Sequence, residues 1–306
     1  MGRVIEIANS QARLSLFRGF LVVKIGEEQS RIPLDNIDSL IINPTGLSIT
    51  SNLINQLLDN RVLIILLGNN YSPKAIIQPV NSHYLQKNRL ELQIKASKPL
   101  KKQLWQNIVR QKIANQGKIL AKNRCNEPAK QLLELAKKVD SGDKNNSEAF
   151  GARIYWQNIF IKSLDGEKFI RSAEDISPLN SMLNYGYAIL RSAMARAVFL
   201  TGLNPSLGIF HCNQQNAFCL VDDLIEPFRP VVDDVVLAIY QENQQITELD
   251  AKIKAQLVSI LEIAINLPEG SFSLALAMQK FAQSFALSLE NSAVELIEID
   301  VAKILP

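Results

Sequence analysis

The chain has 306 residues, 47% of them apolar and 21% charged, with a formal net charge of +3. Such a length and composition describe a soluble globular protein with room for two domains and a large core, and exclude disordered and fibrous classes. The longest strongly apolar run, Val62 to Leu67, is far too short to span a bilayer, and the N-terminus, MGRVIEIANS, is polar where a signal peptide needs an apolar stretch.

A cytoplasmic protein with no membrane association is therefore expected. Three cysteines, Cys125, Cys212 and Cys219, are odd in number and lack CxxC spacing, which fits reduced thiols. A structural zinc at His211, Cys212 and Cys219 falls short of the four tightly spaced ligands such sites use.

Residues 1 to about 80 read as mostly β. Arg3–Ile7, Ala12–Leu16 and Phe20–Ile25 alternate or run apolar, and Arg18-Gly19 sits between the last two as a hairpin turn. Arg31–Leu34 and Ile37–Ile42 continue the pattern. One helix is expected from about Ser48 to Asp59, with Leu53, Ile54, Leu57 and Leu58 at helical spacing; Val62–Leu67 then reads as a buried strand. No catalytic spacing occurs here, and a packing or association domain over residues 1–84 is the expectation. His83, at the junction, has no acidic neighbours and reads as structural or surface.

From residue 85 to 306 the pattern is helical. Between Lys87 and Lys138 there are 14 Lys/Arg against three Glu, a local excess of +11 that leaves −8 for the rest of the chain. Any single charge run is usually a solvated face, but this excess, with Trp105 among the cations, reads as a surface that tracks phosphates.

Asn145-Asn146-Ser147 then offers helix-capping residues. Behind it Glu148, Gly151, Ala152, Tyr155 and Ile159 fall on one stripe, so Glu148 points inward or along a groove, and the small residues beneath it would admit a close neighbour. A glutamate there is also an ordinary favourable contact with the helix dipole.

A long helix over Asn180–Leu200, rich in Gly, Ala and Ser and ended by Gly202, implies close helix packing. It delivers the chain to NPSLGIFHCNQQNAFCLVDDLIEPFRPVVDD. That stretch holds His211, one of two histidines, followed by Asp222, Asp223 and Glu226. If Asp222 or Asp223 caps a helix, Pro227 falls in its first turn, and Asp223 and Glu226 lie one turn apart on one face. A histidine and a carboxylate on apolar walls suit a divalent metal, though a third ligand must come from elsewhere. Spacing alone does not choose between the two acids. From Val235 onward amphipathic helices without His or Cys are expected. No internal repeat, Walker loop, GxGxxG or GxSxG occurs.

Taken together, NNSEAFGARIYW, NSMLNYGYAILRSAMARAVFLTGLNPSLGIFH and NAFCLVDDLIEPFRPVVD resemble the CRISPR adaptation integrase, the CRISPR-associated protein 1 family, over nearly the whole chain and most nearly the shorter members of type II systems. The resemblance implies an α+β fold: a small, sandwich-like β-rich domain that dimerises (1–84), then a larger all-α domain that binds metal and DNA (85–306). It also implies Mg²⁺ or Mn²⁺ held by Glu148, His211 and Glu226, with Asp223 as a neighbour orienting His211 or a metal-bound water. Many family members carry aspartate where this chain has Glu226, so the two acids' roles stay open.

The activity implied is joining of spacer-precursor 3′-OH ends to double-stranded CRISPR repeat DNA by a homodimer assembled around CRISPR-associated protein 2. No Ser, Tyr or Cys is evidently poised as a covalent nucleophile, which agrees with an external attacker. The alternatives are a stand-alone nuclease acting on branched DNA, and a non-enzymatic nucleic-acid scaffold in which His211 and the acids are structural.

Overall fold

Hydrophobic alternation in the first eighty residues becomes two four-stranded sheets in the computed structural model, which describes residues 3–43, 46–68, 73–80, 83–164, 166, 169–243 and 246–301. The chain divides into two compact units, Met1–Tyr84 and Leu85–Pro306.

The first unit contains β1 (Arg3–Ile7), β2 (Arg13–Phe17), β3 (Phe20–Ile25), β4 (Glu28–Pro33), β5 (Ile37–Ile42), β6 (Ser48–Ile49), α1 (Ser51–Asp59), β7 (Leu63–Leu67) and β8 (Pro73–Ile77). One sheet has the order β1-β5-β7-β8, parallel except for the last pair, and the other β4-β3-β2-β6. Leu14 and Leu21 from one sheet, Leu40 and Ile64 from the other, and Leu53 and Leu57 of α1 share a single core.

Arg18 and Gly19 both have positive φ, 47° and 80°, as a two-residue turn between paired Phe17 and Phe20 demands. The helix starts later than its composition suggests. Thr50 caps it by accepting from the Leu53 N–H at 3.4 Å, and Ser48–Ile49 pair with β2 as a strand instead. Strand β8, with little alternation of its own, is held by antiparallel pairing to buried β7.

The second unit contains α2 (Gln86–Lys95), α3 (Lys98–Lys122), α4 (Asn126–Lys137), α5 (Ser147–Asn158), α6 (Pro178–Leu200), α7 (Cys219–Leu224), α8 (Arg229–Glu242), α9 (Ala251–Ser259) and α10 (Leu274–Glu290). It is not wholly helical: β9 (Ala264–Leu267) and β10 (Gly270–Ser273) form an antiparallel hairpin before α10. Ala264–Leu267 is too short to be told from a helix turn by periodicity, so the pattern after Val235 conceals it.

Helix α3 is central, packing against α4, α5 and α8. The small residues of α6 do bring a neighbour close: a Cβ at Gly186 would lie 2.4 Å from Val232 Cγ1 on α8. Among the described residues no helix is long and apolar enough to cross a membrane.

Candidate active site

The α3 residues Trp105, Ile108, Lys112, Asn115 and Ile119 recur at spacings of three and four and so share one face. The other four are at most 1% exposed, which leaves Lys112 as a cation inside a buried stripe. The candidate site is built against that face.

The acids after His211 separate to three destinations. Asp222, Asp223 and Leu224 end α7, whose N-cap is Phe218, so neither aspartate caps this helix; Pro227 sits in a short 3-10 turn, Glu226–Phe228, between α7 and α8. Asp222 forms a two-pronged ion pair with Arg191 of α6, at 2.7 and 2.8 Å. Asp223, fully buried, turns to the histidine loop: its Oδ2 accepts from the N–H groups of Ile209 (2.7 Å) and Phe210 (3.2 Å), and its Oδ1 from His211 N–H (3.1 Å). The same Oδ1 lies 2.7 Å from His211 Nδ1. A carboxylate only accepts, so this contact holds a proton on Nδ1, and in the neutral imidazole Nε2 keeps its lone pair. Gly208 is required for the arrangement, since a Cβ there would meet His211 O at 2.3 Å and Asp223 Oδ2 at 2.8 Å.

Glu226 turns the other way. Its Oε1 is 2.9 Å from Arg229 and its Oε2 is 2.6 Å from Lys112 Nζ. The same ammonium donates to Glu148 Oε1 at 2.6 Å. Glu148 is the second residue of α5, and the structure brings it and Glu226 to a single cation.

The start of α5 is not capped by an Asn side chain. Asn146 adopts a left-handed φ of 54°, and the Asp143 carboxylate accepts from the Ser147 and Glu148 N–H groups at 2.7 and 3.1 Å. The space beneath Glu148 is taken by protein: Ile113 Cγ1 would lie 3.2 Å from a Cβ on Gly151.

Charge is balanced by these contacts. Burial alone would raise the Glu226 carboxyl, but Arg229, Lys112 and His211 outweigh it and hold the group below the usual carboxylate range. Burial would lower the Lys112 ammonium, and Glu226 and Glu148 together hold it above the usual lysine value. The hydrogen bond to Asp223 raises His211 against its partial burial.

Deeper in, the Tyr187 hydroxyl donates to Asp233 Oδ1, while Arg229 lies 4.8 Å over the Tyr187 ring. Burial pushes Asp233 up to about 7 despite these partners.

No group of three His, Cys, Asp or Glu side chains stands ready to hold a metal among the described residues. Glu148 and Glu226 share Lys112, and His211 is near enough to interact electrostatically with Glu226. The donor types nevertheless fit a hard divalent ion: two carboxylates already focused on one cation and one imidazole nitrogen held in a single tautomer. The Glu226 Oε2 contact with Lys112 is out of line for a hydrogen bond, so a buried carboxylate oxygen has a charge beside it and no directed donor.

Comparison with known proteins places this geometry in a family. The family model for CRISPR associated protein Cas1 matches residues 5–263. The CRISPR-associated endonuclease Cas1 of Neisseria meningitidis serogroup C (strain 8013) is 36% identical over 294 residues, covering 96% of this chain and 94% of its own. The chain belongs to the Cas1 family.

Two solved structures share the fold: a casposase bound to integration product (TM-score 0.80, 18% identity, covering 98% of this chain and 93% of that one) and a Cas6-RT-Cas1–Cas2 complex (TM-score 0.77, 17% identity, covering all of this chain and 36% of that one).

Sequence reasoning read some of these residues differently. Trp105, read above as part of a phosphate-tracking surface, is not at the surface: it is 1% exposed and stacks on Phe210, ring centroids 4.1 Å apart and 2° from parallel, with His211 edge-on at 6.0 Å. It is the floor of the histidine loop. The long α3 is buried along much of its length, not a continuous solvated cationic face. Among the described residues, seven of the 14 cations between Lys87 and Lys138 are in ion pairs, among them Arg89 with Glu290, Arg110 with Glu298, Lys118 with Asp300 and Lys122 with Asp234.

Lys112 and Arg229 were missed as site residues. Lys112 was visible in principle, as the one charge on an otherwise uncharged helical stripe, and Arg229 as the cation one turn after Glu226. The three cysteines are free, Cys125 and Cys219 buried and Cys212 exposed. His83 stacks on Tyr84 at 4.8 Å within the first unit.

Proposed function

We propose that this chain is a metal-dependent DNA integrase and endonuclease of CRISPR spacer acquisition, joining the 3′-OH ends of spacer-precursor DNA to the CRISPR repeat by transesterification. The observation that carries this reading is the convergence of Glu148 and Glu226 on one cation beside a histidine whose Nδ1 is committed to buried Asp223. Family membership supports it, as do the activities of similar proteins: the Neisseria relative is an endonuclease, and the casposase of the same fold is bound to an integration product.

Glu148, His211 Nε2 and Glu226 are the groups that would hold Mg²⁺ or Mn²⁺. When bound, such an ion polarises the scissile phosphate and helps activate the attacking oxygen. The chain's own part is orientation. Asp223 fixes the imidazole tautomer and ring angle, Arg229 keeps Glu226 ionised, and the Trp105–Phe210 stack holds the loop that carries His211. In the reaction the precursor 3′-oxygen bonds to a repeat phosphorus while the bond from that phosphorus to the repeat's own 3′-oxygen breaks, so the number of phosphodiesters is unchanged. Water in place of the 3′-OH gives hydrolysis.

The working assembly is a homodimer joined through residues 1–84 around Cas2, in the cytoplasm where its DNA substrates lie; the Cas6-RT-Cas1–Cas2 complex of the same fold supports the Cas2 partner.

The test is integration of labelled precursor duplex into a repeat-bearing plasmid, with Mn²⁺ or EDTA and with or without Cas2. Joined product that requires both metal and Cas2 is expected. Metal-dependent cleavage of branched DNA with no joining under any condition would replace this reading by a stand-alone nuclease, and no turnover at all by a DNA-binding scaffold.

A further inference from the structure

Lys112 is the site residue that the proposed chemistry leaves without a task. Its ammonium lies 2.6 Å from Glu148 Oε1 and 2.6 Å from Glu226 Oε2, and its side chain is only 12% exposed. It leaves α3 between the buried residues Gln111 and Ile113, so its stem has little freedom to be elsewhere. A lysine present only to join two helices needs one carboxylate. This one bridges two, and they are the two carboxylates that the metal reading assigns as ligands.

Two carboxylates held near one another out of water must be neutralised, or one of them takes up a proton or moves away. An ammonium within 2.6 Å of an oxygen of each, hydrogen-bonded to the Glu148 one, does this, and it also stands on the side of each oxygen that faces the other. A divalent ion binding those oxygens at about 2.1 Å cannot share that place with it.

Resting on the metal reading above, we propose that Lys112 is the site's resident counter-cation and that the divalent ion enters by exchange with it. The Lys112 ammonium leaves Glu148 and Glu226 as the ion arrives. It therefore sets the ion concentration at which the site fills, and it keeps the acid pair assembled beforehand. Exchange also gives a charge filter. A monovalent cation would replace one positive charge by another and lose its hydration for no gain, whereas a divalent ion brings an additional charge to the same oxygens.

The test is Mn²⁺ titration of the full chain, following the free ion by its paramagnetic resonance signal, for wild type, Lys112→Met and Lys112→Arg, with melting curves in EDTA and in Mn²⁺. Lys112→Met is expected to bind Mn²⁺ at least about tenfold more tightly, to melt lower than wild type in EDTA and to gain more from Mn²⁺. Lys112→Arg, which keeps the competing charge, should bind no more tightly than wild type. Equal or weaker Mn²⁺ binding by folded Lys112→Met overturns the exchange while leaving the metal reading intact. No Mn²⁺ bound by wild type or either variant overturns both.

Should Lys112→Met not fold, wild type decides the matter. Acetylation of Lys112, read by mass spectrometry, should rise several-fold when Mn²⁺ is added, with exposed Lys137 as the unchanged control. Unchanged or reduced labelling of Lys112 overturns the exchange.

Discussion

Asp223 and Glu226 are both buried, three residues apart, and chemically unlike in what surrounds them. Asp223 accepts three backbone N–H groups and the imidazole Nδ1, so both of its oxygens are committed. Glu226 is met by cations, Lys112 and Arg229. We therefore expect Glu226→Ala to abolish Mn²⁺-dependent strand transfer and Glu226→Asp to impair it severely, because the shorter side chain draws the carboxylate back from Lys112. Asp223→Asn sets an amide NH₂ against two N–H donors whichever way it turns, which loosens the His211 loop. Transfer should fall about 10–100-fold, the usual cost of losing a group that orients a ligand, with partial recovery at high Mn²⁺. His211→Ala should be inactive and His83→Ala close to wild type. The assay is strand transfer across a Mn²⁺ titration. An inactive Asp223→Asn beside an active Glu226→Ala would exchange the two roles.

Between elements, contacts across the sequence decide what local pattern leaves open. The two glycines that matter most, Gly186 and Gly208, both sit where a neighbour leaves no room for a side chain. Composition signalled close packing on α6 but could not name Val232 as the other side. Gly186→Ala should cost roughly 1–3 kcal/mol, the usual range for overpacking, because the clashing atom belongs to a stiff β-branched residue in a buried interface. Val232→Ala alone should also destabilise, by leaving a cavity. Combined, the two should melt higher than the sum of their separate effects allows; additive losses in thermal melts would place the strain elsewhere. Legibility follows the same line. The Arg18-Gly19 turn, α6 and the α1 stripe were readable because each is specified by residues a few positions apart. The β9–β10 hairpin and the Asp143 cap were not: two four-residue strands carry too little period, and a cap three residues before the N-cap looks like an ordinary loop aspartate.

For the molecule as a whole, a count of charge along the chain sees neighbours in sequence, not in space. The excess of +11 over residues 87–138 was legible, but Glu290, Glu298, Asp300 and Asp234, which neutralise Arg89, Arg110, Lys118 and Lys122, lie more than a hundred residues further on. What remains for a polyanion is the set with no ion pair among the described residues, of which Lys87, Lys98, Lys102, Arg124, Lys130 and Lys138 are exposed. The two sets should behave differently. Each phosphate contact removed from duplex DNA lowers the slope of log affinity against log salt by about 0.9. Neutralising the six exposed, unpaired cations to Gln should therefore weaken DNA binding on every sequence and flatten that slope. Neutralising Arg89, Lys118 and Lys122 should leave the slope near wild type and instead lower the melting temperature, since each removes the cation that pairs with a partly buried acid. Binding isotherms between about 50 and 200 mM salt, beside melts of the same variants, measure both. If the paired set flattens the slope and the exposed set does not, DNA lies across the face that carries Glu290 and Asp300, and those ion pairs open to receive it.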